Sequence, residues 1–380
     1  MRAGRIILIS LGILLVILFF STFINSTPKE EILIGAILPL TGNGADQGQA
    51  QAKAVQLVIN EVNSKGGING QKVELLLEDS KGGSAQEALI AYDKIKLSKK
   101  PLAIITWGSG VGIALTKLMN DDKIIQMGVA TSSQKYSTAN DFTFRVFPDA
   151  RFEGAFDANF VFNKLNISTV CIIYTQNDYG VGSKSAFESS FSAIGGKVSC
   201  VESVDSGAKD VRSQLIKIKE KNPQLIFMGV YPSEGSSVLS QAKELDLNSK
   251  FIATSAIQGP ELSDLPVDVS EGLLVSMMPF NVDSNESLTK EFRESYIAAY
   301  GVKPAMYAST AYDGARVVLS AINSCSPKLD SNCIKSALFA VRNFSGITGE
   351  INFDTNGDMI PVMKIMQYSK KQFSEYDLNN

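Results

Sequence analysis

The 380 residues contain no histidine. Triads built on His, His metal ligands and the commonest general base near neutral pH are therefore excluded. What the chain does offer is small hydroxyls and glycines at the ends of apolar runs. Gly108-Ser109-Gly110 follows the run 102–106 and precedes a helical pattern, and Ala130-Thr131-Ser132 follows the next run, 124–128. Backbone N–H groups and hydroxyls in such places can hold a carboxylate or amide without a full counter-charge. Ser and Thr there are also ordinary helix caps, and both readings stand at this point. Trp107, the only tryptophan, ends the first run, where it either covers the apolar part of a ligand or packs in the core.

Other chemistries are poorly served. The loop from Thr41 to Gly48 contains G-x-G, but the third glycine of a dinucleotide fingerprint falls on Gln47. Glu78 or Asp79 could mimic a ribose-binding acid, although acids commonly end strands. There is no P-loop, no G-x-S-x-G and no Cys/His metal spacing. The D-x-N-x-D stretch from Asp354 to Asp358 resembles part of a calcium loop, but it lacks the terminal Glu and is read as a turn. No cofactor is expected, and no enzyme.

These loops need a frame. Ile32 to Leu38 reads as a buried strand, the helix after it carries Ala54, Val55, Leu57, Val58, Ile59 and Val62 near one face, and Gly66-Gly67 stops it before a second strand at Val73. This is a βαβ unit whose first loop lies at the carboxyl end of a strand, where open α/β sheets bind ligands. Strands are expected at 32–38, 73–77, 102–106, 124–128, 169–174, 197–203, 224–229, 250–254 and 272–276. Helices are expected at 46–64, 84–97, 111–120, 152–164, 180–194, 209–221, 234–245, 287–300, 306–323 and 331–341. Alternation of this kind predicts parallel sheets with helices on both faces. The order also repeats: TGNGADQG, GGINGQKVELL, PLAIITWGSG and KIIQMGVATS are echoed by TQNDYGVG, GGKVSCVES, PQLIFMGVYPSEG and KFIATSAIQG. Two similar units facing one another would share one cleft.

A net charge of −3 gives no reason to expect nucleic acid. Arg2 and Arg5 precede an uncharged run, Ile6 to Ser26, of about 20 residues, enough to span a bilayer at ~1.5 Å per residue. Residues 1–28 are expected to be a signal anchor, with a cleaved signal peptide as the alternative. The rest would be extracytoplasmic. Four cysteines fit an oxidising compartment. Cys325 and Cys333 are expected to pair; Cys171 and Cys200, on neighbouring strands, either pair or remain buried thiols. Sequons occur at Asn166, Asn285 and Asn343.

The block EILIGAILPLTGNGADQGQAQAKAVQLVINEVNSKGGINGQKVELLLEDS, with the order strand, TG-x-G, helix, N-x-x-GGI-x-G, strand, resembles the start of the leucine/isoleucine/valine-binding family. Those proteins are extracytoplasmic receptors of amino-acid ABC importers with the type I periplasmic-binding-protein fold. The resemblance covers about residues 31–365. It implies two doubly wound, Rossmann-like lobes joined by a three-segment hinge: 31–147 plus 281–350, and 148–280 plus 351–380, with crossings near Phe147-Pro148, Met278 to Asn281 and Thr348 to Phe353. It implies ligand contacts at Ser109, Val129 and Thr131 for a carboxylate, at Tyr307 over a side chain, and at Asp178, Tyr179 and Tyr231 on the closing face. Tyr312-Asp313 is expected to be structural. Two positions depart from the family pattern. Gln47 stands where a tyrosine is usual, and Ser255 where aliphatic amino-acid binders carry a carboxylate for the ammonium. Either Asp178 or Glu234 substitutes, or the ligand is an amide, urea-like molecule or carboxylate. The implied partners are a small ligand and a permease/ATPase complex. A ligand sensor that signals through a membrane partner is the alternative, and an enzyme of doubly wound fold a more distant one.

Overall fold

The computed structural model describes residues 30–377. The expected anchor, residues 1–28, lies outside them. Among the described residues no helix is long and apolar enough to cross a membrane.

The first sheet is built from β1 (Ile32–Leu38), β2 (Val73–Asp79), β3 (Ala103–Trp107), β4 (Ile125–Ala130) and β5 (Thr143–Arg145), in the order β2-β1-β3-β4-β5. Every pairing is parallel. Helices α1 (Ala45–Ser64), α2 (Ala85–Ser98) and α3 (Ser109–Asp122) make the crossovers. All seven residues of β1 and all five of β3 are buried, as strands covered on both faces must be. The next elements are α4 (Ala150–Asn159), β6 (Thr169–Thr175), α5 (Asp178–Ala193), β7 (Lys197–Val204), α6 (Arg212–Glu220), β8 (Leu225–Gly229), α7 (Pro232–Glu244), β9 (Lys250–Thr254) and β10 (Leu273–Met277). In this second sheet β7-β6-β8-β9-β10 repeats the order of the first.

The chain then returns. Helices α8 (Ser287–Tyr300), α9 (Met306–Ser324) and α10 (Ser331–Phe339) follow, and Phe292, Val317, Val318 and Ile334 share a core with Ile34 and Val55. A hairpin, β11 (Phe344–Gly346) with β12 (Gly349–Ile351), leads back to β13 (Lys364–Ser369) and β14 (Gln372–Glu375), which extend the second sheet antiparallel beyond β10. The last return comes later than the 348–353 expected. Residues 354–359 still lie along β5, where Arg145 N–H donates to Gly357 O and Met359 N–H to Arg145 O.

Several short strands escaped the hydrophobic pattern. β5, β11 and β12 have three residues each and exist because a neighbour supplies the ladder. The helix expected at 152–164 ends in a π-helical turn, Phe160–Lys164. Asp354 caps its own turn by accepting the N–H groups of Asn356 and Asp358; no metal-binding group of His, Cys, Asp or Glu occurs among the described residues. Cys171 is the register partner of Cys200 and is bonded to it across β6 and β7; Cys325 at the end of α9 is bonded to Cys333 of α10.

Gly48 and Gly180 show how deep the repeat runs. A Cβ on Gly48 would lie 2.0 Å from Pro39 O, and one on Gly180 would lie 2.0 Å from Thr175 O. In both halves the first helix after the opening strand rests its first turns on that strand's end. Gly48→Ala is expected to cost about 3 kcal/mol by overpacking, read as a lowered urea midpoint. An unchanged midpoint would mean that the contact yields freely.

Candidate functional site

The strand-order switches, β1/β3 in one sheet and β6/β8 in the other, bring their loops face to face. On the first side Gly108, at φ +85°, turns the chain from β3 into α3. The cap position is therefore Gly108, with no side-chain cap, and Ser109 is already helical. Its Oγ instead accepts the Ser133 N–H at 3.1 Å, while the Thr131 hydroxyl donates to Gly108 O at 3.3 Å. Ser109 and Thr131 are 1% and 0% exposed, and they lock the loops after β3 and β4 to each other. Val129 is buried behind them against Gly314 of α9, and its carbonyl accepts from Gln51 Nε2 at 3.5 Å.

Trp107 crosses to the other side. Its indole N–H donates to Gln47 Oε1 at 3.1 Å, and Gln47 Nε2 donates to Gln258 O at 2.8 Å, beyond β9. The ring packs over Gly44 and Gly83, where a Cβ would lie 2.8 and 2.7 Å from it, and stacks on Tyr231 at 5.7 Å between centroids. Tyr231 meets Tyr179 at 4.8 Å, and the Tyr179 hydroxyl meets the Thr254 hydroxyl. Tyr307, at the start of α9, donates to Ser255 O at 3.3 Å and stacks on Phe147. Burial holds the phenols of Tyr179, Tyr231 and Tyr307 well above the ordinary tyrosine range, so all three are neutral donors at physiological pH.

Nine of the ten sequence-selected positions therefore lie buried in or directly behind one two-sided wall. Asp178 does not: it is exposed at the start of α5, on the rim, facing Gly110 across the cleft. Glu234 is buried in the first turn of α7 with Oε1 accepting Gly207 N–H at 2.6 Å. Tyr312 and Asp313 are structural: the Tyr312 hydroxyl donates to Glu61, and Asp313 accepts the backbone N–H groups of Ile347 and Thr348.

Two groups went unread in the sequence. Arg145 is fully buried. Its guanidinium donates to both oxygens of Asp358, to Asp149 and to the carbonyls of Thr131 and Ser133, and so anchors the loop after β4. Glu153 and Asp157 lie under the second side, sharing the Ser276 hydroxyl. Burial pushes the Glu153 carboxyl up to about 7; Asp157 rises well above the usual range through burial and the charge of Glu153. A signal existed: residues 150, 153, 154, 157 and 158 form the buried stripe of α4, and two of the five are acids.

Comparison with known proteins agrees with this geometry. The periplasmic binding protein family model matches residues 31–372. A Leu/Ile/Val-binding protein homologue of Brucella abortus is 24% identical over 337 residues, 88% of this chain and 89% of that one. A leucine-, isoleucine-, valine-, threonine- and alanine-binding protein of Pseudomonas aeruginosa is also 24% identical, over 88% of each chain. The crystal structure of a leucine-binding protein, LivK, from Thermotoga maritima superposes with a TM-score of 0.82 at 28% identity, covering 91% of this chain and 98% of that one. Since that family's model matches nearly its whole length, the chain belongs to the periplasmic binding protein family.

Proposed function

We propose that this chain is the extracytoplasmic solute-binding component of an ABC importer and that it captures a small amino acid between two lobes. The observation that carries the reading is the set of contacts made from both sides of one buried wall: Gln47 to Gln258, Trp107 to Tyr231 and Tyr307 to Ser255. A wall completed only when two sheets meet suits capture by closure. In this reading the lobes are 31–147 with 281–359 and 148–280 with 360–377, the three crossings form the hinge, and the arrangement described is the closed form. The apolar run from Ile6 to Ser26 serves export or anchoring, and the closed form docks on a permease/ATPase complex. The reading involves no reaction, and the neutral hydroxyls, phenols and indole of the cleft suit recognition. A ligand shifts the protein toward closure only by its differential affinity for the closed state.

The test is a thermal-shift screen of the purified protein with aliphatic amino acids and matched carboxylates and amides. A ligand at 100 times its dissociation constant adds about 2.7 kcal/mol of stability. Ser109→Ala with Thr131→Ala is expected to weaken the ligand found by about 100-fold, the low end for two hydrogen bonds to a charged group at about 1.5–3 kcal/mol each, because the Thr131 hydroxyl must first turn away from Gly108 O. The ligand-free protein should lose only about 1 kcal/mol per lost internal bond. Unchanged affinity in the double variant would rule out the loop 108–109 and 130–132 anchor.

A further inference from the structure

Glu153 and Asp157 hold a proton that nothing else in the fold calls for. The Ser276 Oγ lies 3.2 Å from Glu153 Oε1 and 3.1 Å from Asp157 Oδ2, yet it has one hydrogen. It donates to one carboxylate; the other contact is attractive only when that second carboxyl is protonated and donates to Oγ. The two residues are 1% and 0% exposed, and Asp157 Oδ1, fully buried, has no partner. No lysine or arginine acts on either acid. Buried acids in this condition are either neutralised by protons or await a cation.

Their place is directly beneath the wall of the cleft. Ser276 of β10 is the register partner of Thr254, whose hydroxyl meets Tyr179, and the Ser255 backbone amide faces the Glu153 carboxylate. Tyr179 and Tyr307 both feel the charge of Glu153. The other acids near the cleft are less suited: Asp178 is exposed on the rim, and Glu234, although its Oε2 is also buried without a partner, already has the Gly207 amide on Oε1 and the charge of Lys209 acting on it.

We propose that Glu153, backed by Asp157, is the cation-recognising subsite of this cleft and takes the protonated amine of the ligand. The inference rests on the solute-capture reading and adds which acids of this chain meet the ammonium of the ligand. An ammonium brings three donors to acceptor-only carboxylates, and the flanking tyrosine rings accept a cation as well. On binding, the proton held by the pair leaves to solvent and the ammonium takes its place, so the charge of the buried site is conserved.

The experiment is titration calorimetry on the purified full chain at neutral pH with two probes: L-leucine, and 4-methylpentanoate, the same molecule without its amine. The wild type should bind L-leucine. Glu153→Gln should weaken L-leucine by about 30-fold, as loss of a charged partner worth about 2 kcal/mol requires, and move 4-methylpentanoate by less than about threefold. Asp157→Asn should show the same selectivity and keeps the test open if Glu153→Gln does not fold. Binding of L-leucine by Glu153→Gln at wild-type strength overturns the subsite. A wild type that binds 4-methylpentanoate but not L-leucine overturns it too, while leaving solute capture standing. Binding of neither probe by the wild type removes the amino-acid reading and the subsite together.

Discussion

Replacing Arg145 by alanine is expected to lower the stability of the protein by about 3 kcal/mol, because it strands the buried Asp358 carboxylate, while Asp149 keeps its two bonds from Arg151. Arg145 is fully buried and Asp358 nearly so; the guanidinium holds Asp358 through Nε at 2.6 Å and Nη2 at 2.9 Å, and Asp149 at 2.8 Å. Desolvation of these charges is offset only while the fork geometry stays intact. Arg145→Lys keeps the charge but cannot reproduce the fork, so it should recover only part of the loss. The change should also be felt in binding. Nη1 holds the carbonyls of Thr131 and Ser133 at 3.2 and 2.9 Å, so alanine frees the loop that carries Thr131. Urea denaturation of the three proteins, followed by ligand titration of whichever fold, separates the two effects. A loss under about 1 kcal/mol in Arg145→Ala would mean that water reaches Asp358 and that the site is less dry than its burial implies.

The ligand-free protein is expected to lose stability as pH rises from about 5 to about 8, and Glu153→Gln should reduce that slope. Burial raises the Glu153 carboxyl from 4.5 to about 7 in the fold. Between those values the folded state binds more protons than the unfolded state, so stability is fully present below the unfolded value and is lost as pH passes the folded one. The size is on the order of 3 kcal/mol for one such group. The groups facing Glu153 are Asp157 on its own helix, Ser276 of β10, the Ser255 amide, and the Tyr179 and Tyr307 rings; none is a cation. No histidine contributes, and burial also raises the carboxyls of Asp157, Glu234 and Asp313, so the part due to Glu153 is read as the difference between the wild type and Glu153→Gln. Glu153→Gln should accordingly be more stable than the wild type at pH 8 and close to it at pH 5. Urea titrations at four pH values check this, and an unchanged slope in the variant would place the titrating proton elsewhere.

How much of this was legible depends on range. The βαβ frame was, because β1 and β3 are continuous apolar runs and the helices carry a one-sided stripe. The placing of Ser109 and Thr131 was, because a hydroxyl just past a buried parallel strand lies at the carboxyl edge of the sheet. The short strands were not: β5 has no alternation of its own, and its pairing with residues 357–359 joins segments more than 200 positions apart. The acids of α4 were half legible, since their spacing put them on the buried stripe but could not say what they faced.

The sequence by itself determined the alternating α/β plan, its repetition, the glycines at 48 and 180 that let each opening helix sit on its strand, and the loops where a ligand could meet backbone N–H groups. Each of these is a local matter of periodicity, turn chemistry or the space one Cβ would take. Only the tertiary structure decided that Trp107 reaches Gln47, that Arg145 is held by Asp358 at a separation of 213 residues, and that Glu153 lies beneath Ser255. Those pairings arise when segments distant along the chain pack around the same sheet. Desolvation then selects the charges that can stay buried, a condition imposed by neighbours distant along the chain.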